Sequence, residues 1–172
     1  AAPEYHTYVR KILTACRRID TNPTEAQREA GNYAKARIHI HNLPITLEYG
    51  RGAIRSGVGA DGKKWSRVIN AAGYGYIRQT ESDDGEHLDV WLGNHPESVV
   101  GYLVAFLTSS GDHDEWKACL GVRNLREARN LIEQNYPVNF WRDRVGEVRG
   151  FLSPELKRKL ATLGIMKPRK FG

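Results

Sequence analysis

Residues 73–90 read Gly73-Tyr74-Gly75-Tyr76-Ile77-Arg78-Gln79-Thr80-Glu81-Ser82-Asp83-Asp84-Gly85-Glu86-His87-Leu88-Asp89-Val90. The opening alternates glycine with aromatic residues, a strand pattern, and the apolar run Val90-Trp91-Leu92 resumes a strand at the other end. Between them Asp84, Glu86 and Asp89 put three carboxylates into six residues around a glycine. Carboxylates at that spacing repel unless a divalent metal, an arginine or lysine, or a raised pKa relieves them. The segment is a strand, an acidic turn and a strand, and it calls for a cation.

Working outward, the period stays at two. Ile38 and Ile40, then Leu43, Ile45 and Leu47, alternate with His39, His41, Thr46 and Glu48, which predicts two half-buried strands broken at 42–44, with Glu48 closing the second on its polar face. Residues 50–62 hold five glycines and read as a flexible loop ending in an Asp61-Gly62 turn. Arg51, Arg55, Lys63, Lys64 and Arg67 lie in or beside this loop, a composition that suits a phosphate, although a solvated basic hairpin has the same letters. Further strands are expected at 65–69, 74–77, 89–92, 99–107 and 117–122. Helices are expected over 5–19, from an Asn22 cap and Pro23 to about Gly31, over 125–135 behind the cap Asn124 with Glu127 three residues on, and from Ser153-Pro154-Glu155 to Gly164.

Short strands followed by helices without a strand-helix rhythm predict an α+β domain. The expected architecture is a small closed or strongly curved antiparallel barrel, OB-like, of about five strands with flanking helices, in which Leu131 and Ile132 cover one opening. The organisation is an N-terminal helical extension over 1–32, a barrel domain over 33–150 and a C-terminal helix with a basic tail over 151–172.

A chain of 172 residues, 40% apolar, has room for one real core, and it contains neither an apolar run of membrane-spanning length nor a secretory leader pattern. Cys16 and Cys119 lie far apart without metal-type spacing and read as reduced thiols, which places the protein in a cytoplasmic setting. The start at Ala1 leaves open that the sequence is a fragment. A net charge of +6 favours anionic partners, and the basic clusters near both termini suit nonspecific nucleic-acid contact.

The string Y-G-Y-I-x-x-T-x-x-x-D-G-E-x-L-D-V over 74–90 resembles the signature of the soluble family I inorganic pyrophosphatases, in which Y-G-Y-I-P-x-T leads at the same spacing into D-G-D-P-x-D-V. The flanking G-N-Y-A-K-A-R-I-H-I-H-N-L-P-I-T-L-E and D-H-D-E-W-K look still more like the pyrophosphatase-like domain of polyvalent proteins of phages and mobile elements. The resemblance implies a small barrel holding Mg²⁺, with Mn²⁺ as a possible substitute, and hydrolysis of pyrophosphate by metal-activated water. It implies Asp84 and Asp89 as metal ligands, Glu86 in place of the Asp that orients the water, and Glu115, or Asp114 with a shift of one residue, as a fourth acid. Tyr74, Lys117 and Tyr136 fall on phosphate-binding positions. Glu48 stands for an early-strand acid, and Arg55 or Lys64 for the family's phosphate-gripping cations.

Departures accompany the matches. Glu86 is one methylene longer than Asp, Asn70 and Pro137 replace a tyrosine and a lysine, and 107–111 offers hydroxyls where an acid is expected unless Asp112 serves. Arg142 or Arg144 is the candidate to restore the missing cation, and His87, which replaces a proline, is expected to point away. Two functions follow: a Mg²⁺-dependent phosphoanhydride hydrolase, or a degenerate module of the same fold that binds a phosphorylated ligand, protein or nucleic acid without turnover.

Overall fold

A computed structural model describes residues 3–81, 86–152, 155, 158 and 160; Asp84 and the expected start of the last helix at Ser153-Pro154 lie outside them. The elements in chain order are α1 (Pro3–Cys16), α2 (Glu25–Ala30), β1 (Ala36–Ile40), β2 (Leu43–Gly50), β3 (Ile54–Val58), β4 (Lys64–Val68), β5 (Gly73–Ile77), β6 (Leu88–Leu92), β7 (Val100–Leu107), β8 (His113–Leu120), α3 (Leu125–Asn135), α4 (Val138–Arg144) and β9 (Val145–Leu152). Seven strands form one sheet in the order β1-β2-β5-β6-β8-β7-β9, and β3 and β4 form a separate two-stranded ribbon. Neighbours are antiparallel except β6 with β8.

The α+β class is observed, but the five-stranded closed barrel is not: the sheet has seven strands and is open. Its central strands are apolar on both faces. On β6, Val90 and Trp91 are both buried, and on β8 so are Ala118 and Cys119. Such strands need cover on each side, which layers of helices over an open sheet provide. One face joins Ile38, Ile45, Ile77, Val90 and Leu103 to Ile12 of α1. The other face joins Tyr74, Trp91, Val104 and Cys119 to Ala128, Leu131 and Ile132 of α3.

Local chemistry sets the boundaries. His41 and Asn42 both adopt positive φ, 47° and 66°, which closes the β1–β2 hairpin. The cap of α2 is Thr24 and not Asn22: its hydroxyl accepts from the Gln27 amide, the Gln27 side chain accepts from the Thr24 amide, and left-handed Gly31 ends the helix as expected. Asn124 caps α3 as read, accepting from the Glu127 amide at 3.0 Å, whereas the Glu127 carboxylate reaches back to the Arg123 amide. The glycine-rich loop is corrected. Residues 54–58 are a strand, because Gly57 faces Trp65 across the ribbon and a Cβ there would stand 2.7 Å from the indole. The glycine makes room for a large neighbour and does not break the strand.

Candidate functional site

The site is a row of cross-strand partners. Lys117 pairs with Asp89, Asp89 with Tyr76, Tyr76 with Thr46 and Thr46 with Arg37, so one face of β8, β6, β5, β2 and β1 carries these side chains in line. Tyr74, two residues before Tyr76, lies on the same face.

Gly75 between the two tyrosines is forced by the backbone. Opposite it β2 bulges at Glu48, and a Cβ on residue 75 would meet the Thr46 carbonyl oxygen at 1.9 Å. Thr80 closes the other end of the motif. Its hydroxyl donates to the Ile77 carbonyl at 2.5 Å and accepts from the Leu88 amide at 2.9 Å, clamping the ends of β5 and β6 on either side of the acidic turn. Two of the motif's fixed letters thus have structural causes.

At the centre the Asp89 carboxylate accepts at Oδ2 from Lys117 Nζ at 2.7 Å and from the Tyr74 hydroxyl at 2.8 Å. Tyr74 in turn accepts from Lys117 Nζ at 3.2 Å and from Arg55 at 3.5 Å. Glu115 reaches the same ammonium at 3.2 Å. The lysine is 6% exposed, whereas Asp89 and Glu115 keep 28% and 22% of their side-chain surface in water. The two acids open outward and the lysine closes the floor. Burial alone would lower the Lys117 pKa, but the oxygens of Tyr136, Tyr74, Asp89 and Glu115 outweigh it and hold the ammonium well above its ordinary value. Burial first, and then Asp89, push the Tyr74 phenol upward against the opposing pull of Lys117, so Tyr74 stays a neutral donor.

The ribbon leans over this centre. Arg55 of β3 lies 4.6 Å from the Tyr74 ring and 5.1 Å from that of Trp65, a cation between two aromatic faces. Its direct partner across the ribbon is Arg67, also half-buried. Among the described residues neither arginine pairs with a carboxylate. Two guanidinium groups side by side repel, and an anion between them would satisfy both.

The structure brings together Asp89, Lys117, Tyr74, Glu115 and Arg55. Tyr136 joins from behind: its hydroxyl accepts from Trp91 at 3.3 Å, its ring packs on Phe106, and its oxygen raises the pKa of both Lys117 and Arg55. Asp114 is the extra residue of the bulge in β8 and is exposed, which leaves Glu115 as the acid that meets the lysine. Glu86 is exposed at the end of the turn, and Glu48 accepts from the Tyr33 hydroxyl at 3.1 Å. Lys64 sits on the ribbon's exposed outer face, away from Arg55 and Trp65. Arg144 is tied to the Leu107 carbonyl at 2.8 Å and Arg142 is exposed on α4. The Asn70 backbone is held at both ends by the buried Asn135 side chain.

Two residues were misjudged. Arg67, read only as part of the basic loop, stands opposite Arg55 because the Gly59 amide donates to the Lys63 carbonyl and the ribbon closes through three residues, 60–62; a two-residue Asp61-Gly62 turn would have set Val68 there. His87 does not point away but stacks on Tyr76, with centroids 4.6 Å apart and planes 8° from parallel. A large cleft of about 1020 Å³ lies elsewhere, between α1, the end of β2 and 93–96, and includes neither Asp89 nor Lys117. The candidate site is marked by the convergence of Asp89, Lys117, Tyr74, Glu115 and Arg55 and not by that cleft.

Among the described residues no three carboxylate, imidazole or thiol groups converge as a ready metal cage. Among the described residues Asp89 makes its hydrogen bonds through Oδ2 and shares the Lys117 ammonium with Glu115, and hard oxygens of this kind suit Mg²⁺. No helix among the described residues is long and apolar enough to cross a membrane. A family model described as Inorganic Pyrophosphatase matches residues 25–161. No curated protein and no solved structure matches the chain.

Proposed function

Because the chain belongs to the inorganic pyrophosphatase family, we propose that it hydrolyses a phosphoanhydride, either inorganic pyrophosphate or a nucleotide-derived pyrophosphate, in a reaction dependent on Mg²⁺. The observation that supports this best is the floor of the site, where one buried ammonium, Lys117, ties Asp89 and Glu115 together beneath Tyr74 and Arg55. Cations for a phosphate and oxygens for a metal there share one hollow.

Asp89 and Glu115, with Asp84 and Glu86 of the turn, would hold the metal. Bound Mg²⁺ polarises a phosphoryl oxygen and lowers the pKa of a water molecule. The chain's own residues do the rest. Lys117 and Arg55, with Arg67 opposite, draw the phosphate oxygens in, and the neutral Tyr74 hydroxyl fixes the direction of both cations through shared hydrogen bonds. Tyr136 backs the hollow and keeps water from its apolar side. Glu86 takes the water-orienting role with one extra methylene, and displacements on the order of 1 Å cost about 10²-fold in rate, so turnover is expected to be slow.

Purified protein with Mg²⁺ or Mn²⁺ should release phosphate from pyrophosphate, and Asp84→Ala and Asp89→Ala should each abolish release while the fold persists by circular dichroism. Absence of turnover across a panel of phosphoanhydrides would overturn the proposal. The second reading, a phosphate-binding module without hydrolysis, draws on Glu86, Asn70 and Pro137. Calorimetry that gives pyrophosphate binding in the absence of any turnover would favour it.

A further inference from the structure

The part of the sheet face that α3 and α4 leave uncovered carries a second group of cations, which the hydrolytic reading does not use. Beyond Asp89 the cross-strand row continues through Tyr76 and Thr46 to Arg37 on the edge strand β1. Arg78 reaches back over this row, donating to the Thr46 hydroxyl at 3.0 Å and to the Ile45 carbonyl at 2.6 Å. The Lys35 ammonium lies 4.7 Å from the Tyr33 ring and 5.8 Å from that of Tyr76. Among the described residues Lys35, Arg37 and Arg78 make no ion pair. Burial first, and then the nearby charge of Arg37, lower the Arg78 pKa, so two cations stand close together, with no anion paired to either among the described residues.

Between this group and the Lys117 centre lies a flat, exposed ring. His87 stacks on Tyr76 beneath it, and its Nδ1 lies 3.2 Å from the Thr80 carbonyl, so the imidazole is fixed in orientation with its other face turned to solvent. The order across the surface is the Arg37 and Arg78 cations, the stacking platform, the Asp89 carboxylate over Lys117, and then the Arg55 and Arg67 cations of the ribbon. From Asp89 to Arg37 are three strand spacings, about 14 Å.

An inorganic anion would occupy one cluster and ignore the platform. A mononucleotide with its phosphates on one side would fill one cluster and the platform and leave the other cluster unneutralised. A nucleic-acid strand has phosphate on both sides of every base. We propose that this strip binds single-stranded nucleic acid, with one base stacked on His87 and backbone phosphates of the strand held by Arg37 and Arg78 on one side and by Arg55 and Arg67 of the ribbon on the other. The inference rests on the placement of charge and ring and does not require hydrolysis, so binding is tested without divalent metal and a failure of turnover leaves it standing.

The test is fluorescence anisotropy of a labelled oligothymidylate with the full chain in EDTA over a series of KCl concentrations, with thermal melts of every variant as a folding control. Arg37→Ala should weaken binding and lower the slope of log K against log salt by about 0.7, the share of one phosphate contact on a single strand. Arg37 is exposed, so this change does not threaten the fold. His87→Ala should weaken binding roughly tenfold while His87→Phe keeps it, because stacking needs only a ring. Replacing Lys167, Arg169 and Lys170 by alanine should leave the affinity unchanged. Failure of the parent protein to bind the oligonucleotide, binding indifferent to Arg37 and His87, loss confined to the terminal variant, or a nucleoside triphosphate binding as tightly as the strand would each overturn the proposal.

Discussion

Replacing Lys117 by methionine tests the centre of the site. Methionine keeps an unbranched apolar stem of similar length for packing against Tyr74 and Phe106, whose rings lie 5.6 and 5.5 Å from the ammonium, and removes only the charge. Asp89 and Glu115 are then left facing one another, no farther apart than the sum of their present distances to Nζ. Breaking a fully buried pair costs about 3–5 kcal/mol. Here the lysine is 6% exposed but the acids are 28% and 22% exposed, so water can enter on the carboxylate side and the cost falls to about 2–3 kcal/mol. For a chain of this length that corresponds to a melting temperature lower by about 5–10 °C. The sign of the pH dependence follows from the raised Lys117 pKa. Its contribution is fully present below the ordinary lysine value of about 10.4 and is lost only as pH rises through the higher folded-state value, so the gap between parent and variant should be flat from about pH 6 to 9 on the lysine's account. Adding Asp89→Asn in the methionine background should recover about 1 kcal/mol, since one of the two facing charges disappears. Calorimetric melts of the four proteins supply the cycle. A methionine variant that melts with the parent, or an asparagine change whose cost is additive, would refute Lys117 as the counter-ion that holds the two acids.

Gly75→Ala should cost more than about 4 kcal/mol and show as loss of folded protein in a denaturant titration, because the new methyl group meets the Thr46 carbonyl; Gly52→Ala, with a φ of 83° but open space around it, should cost only about 1 kcal/mol. Burial pushes the Cys119 thiol up to about 12, so in a Cys16→Ser background its labelling by a thiol reagent at pH 8 should proceed only at the rate of unfolding. The hydrogen bond from Arg123 lowers the Glu127 pKa, so that stabilisation is present above the ordinary glutamate value and fades as pH falls through the lower folded-state one. Glu127→Gln should therefore cost less than about 1 kcal/mol at pH 7 in thermal melts, and nothing once the pH has fallen below the lowered folded-state value.

What the sequence disclosed follows from how local each cause is. The bounds of α3 were legible because Asn124 caps it and its apolar face is regular. The β5–β6 turn was legible because its glycine, threonine and acids act on near neighbours. β9 was not, because an edge strand exposed on most of its length alternates weakly and was hidden behind its glycines and charges. The parallel pairing of β6 with β8 has no local signal, yet it is what sets Asp89 beside Lys117. At the site, Asp89, Tyr74 and Lys117 were found by position in a motif. The choice of Glu115 over Asp114 needed the bulge in β8, and Lys64 was misjudged because it lay one residue before the strand read at 65–69, so the alternation that turns it outward was not applied to it.

The β3–β4 ribbon breaks the usual rule of burial in a way that bears on the chemistry. Its outer face exposes Ile54, Val58 and Val68 at 64%, 65% and 60%, while its inner, half-buried face carries Arg55, Trp65 and Arg67. A ribbon held by hydrophobic burial would have the opposite polarity. This one is held over the sheet by Arg55, lodged between the Trp65 and Tyr74 rings and bonded to the Tyr74 hydroxyl, and its two arginines stand directly opposed. Opposed like charges on a two-stranded ribbon cost about 0.2–1 kcal/mol, and an isolated hairpin is only marginally stable. An anion that bridged Arg55 and Arg67 would turn that repulsion into two charge-assisted hydrogen bonds while meeting Lys117 below.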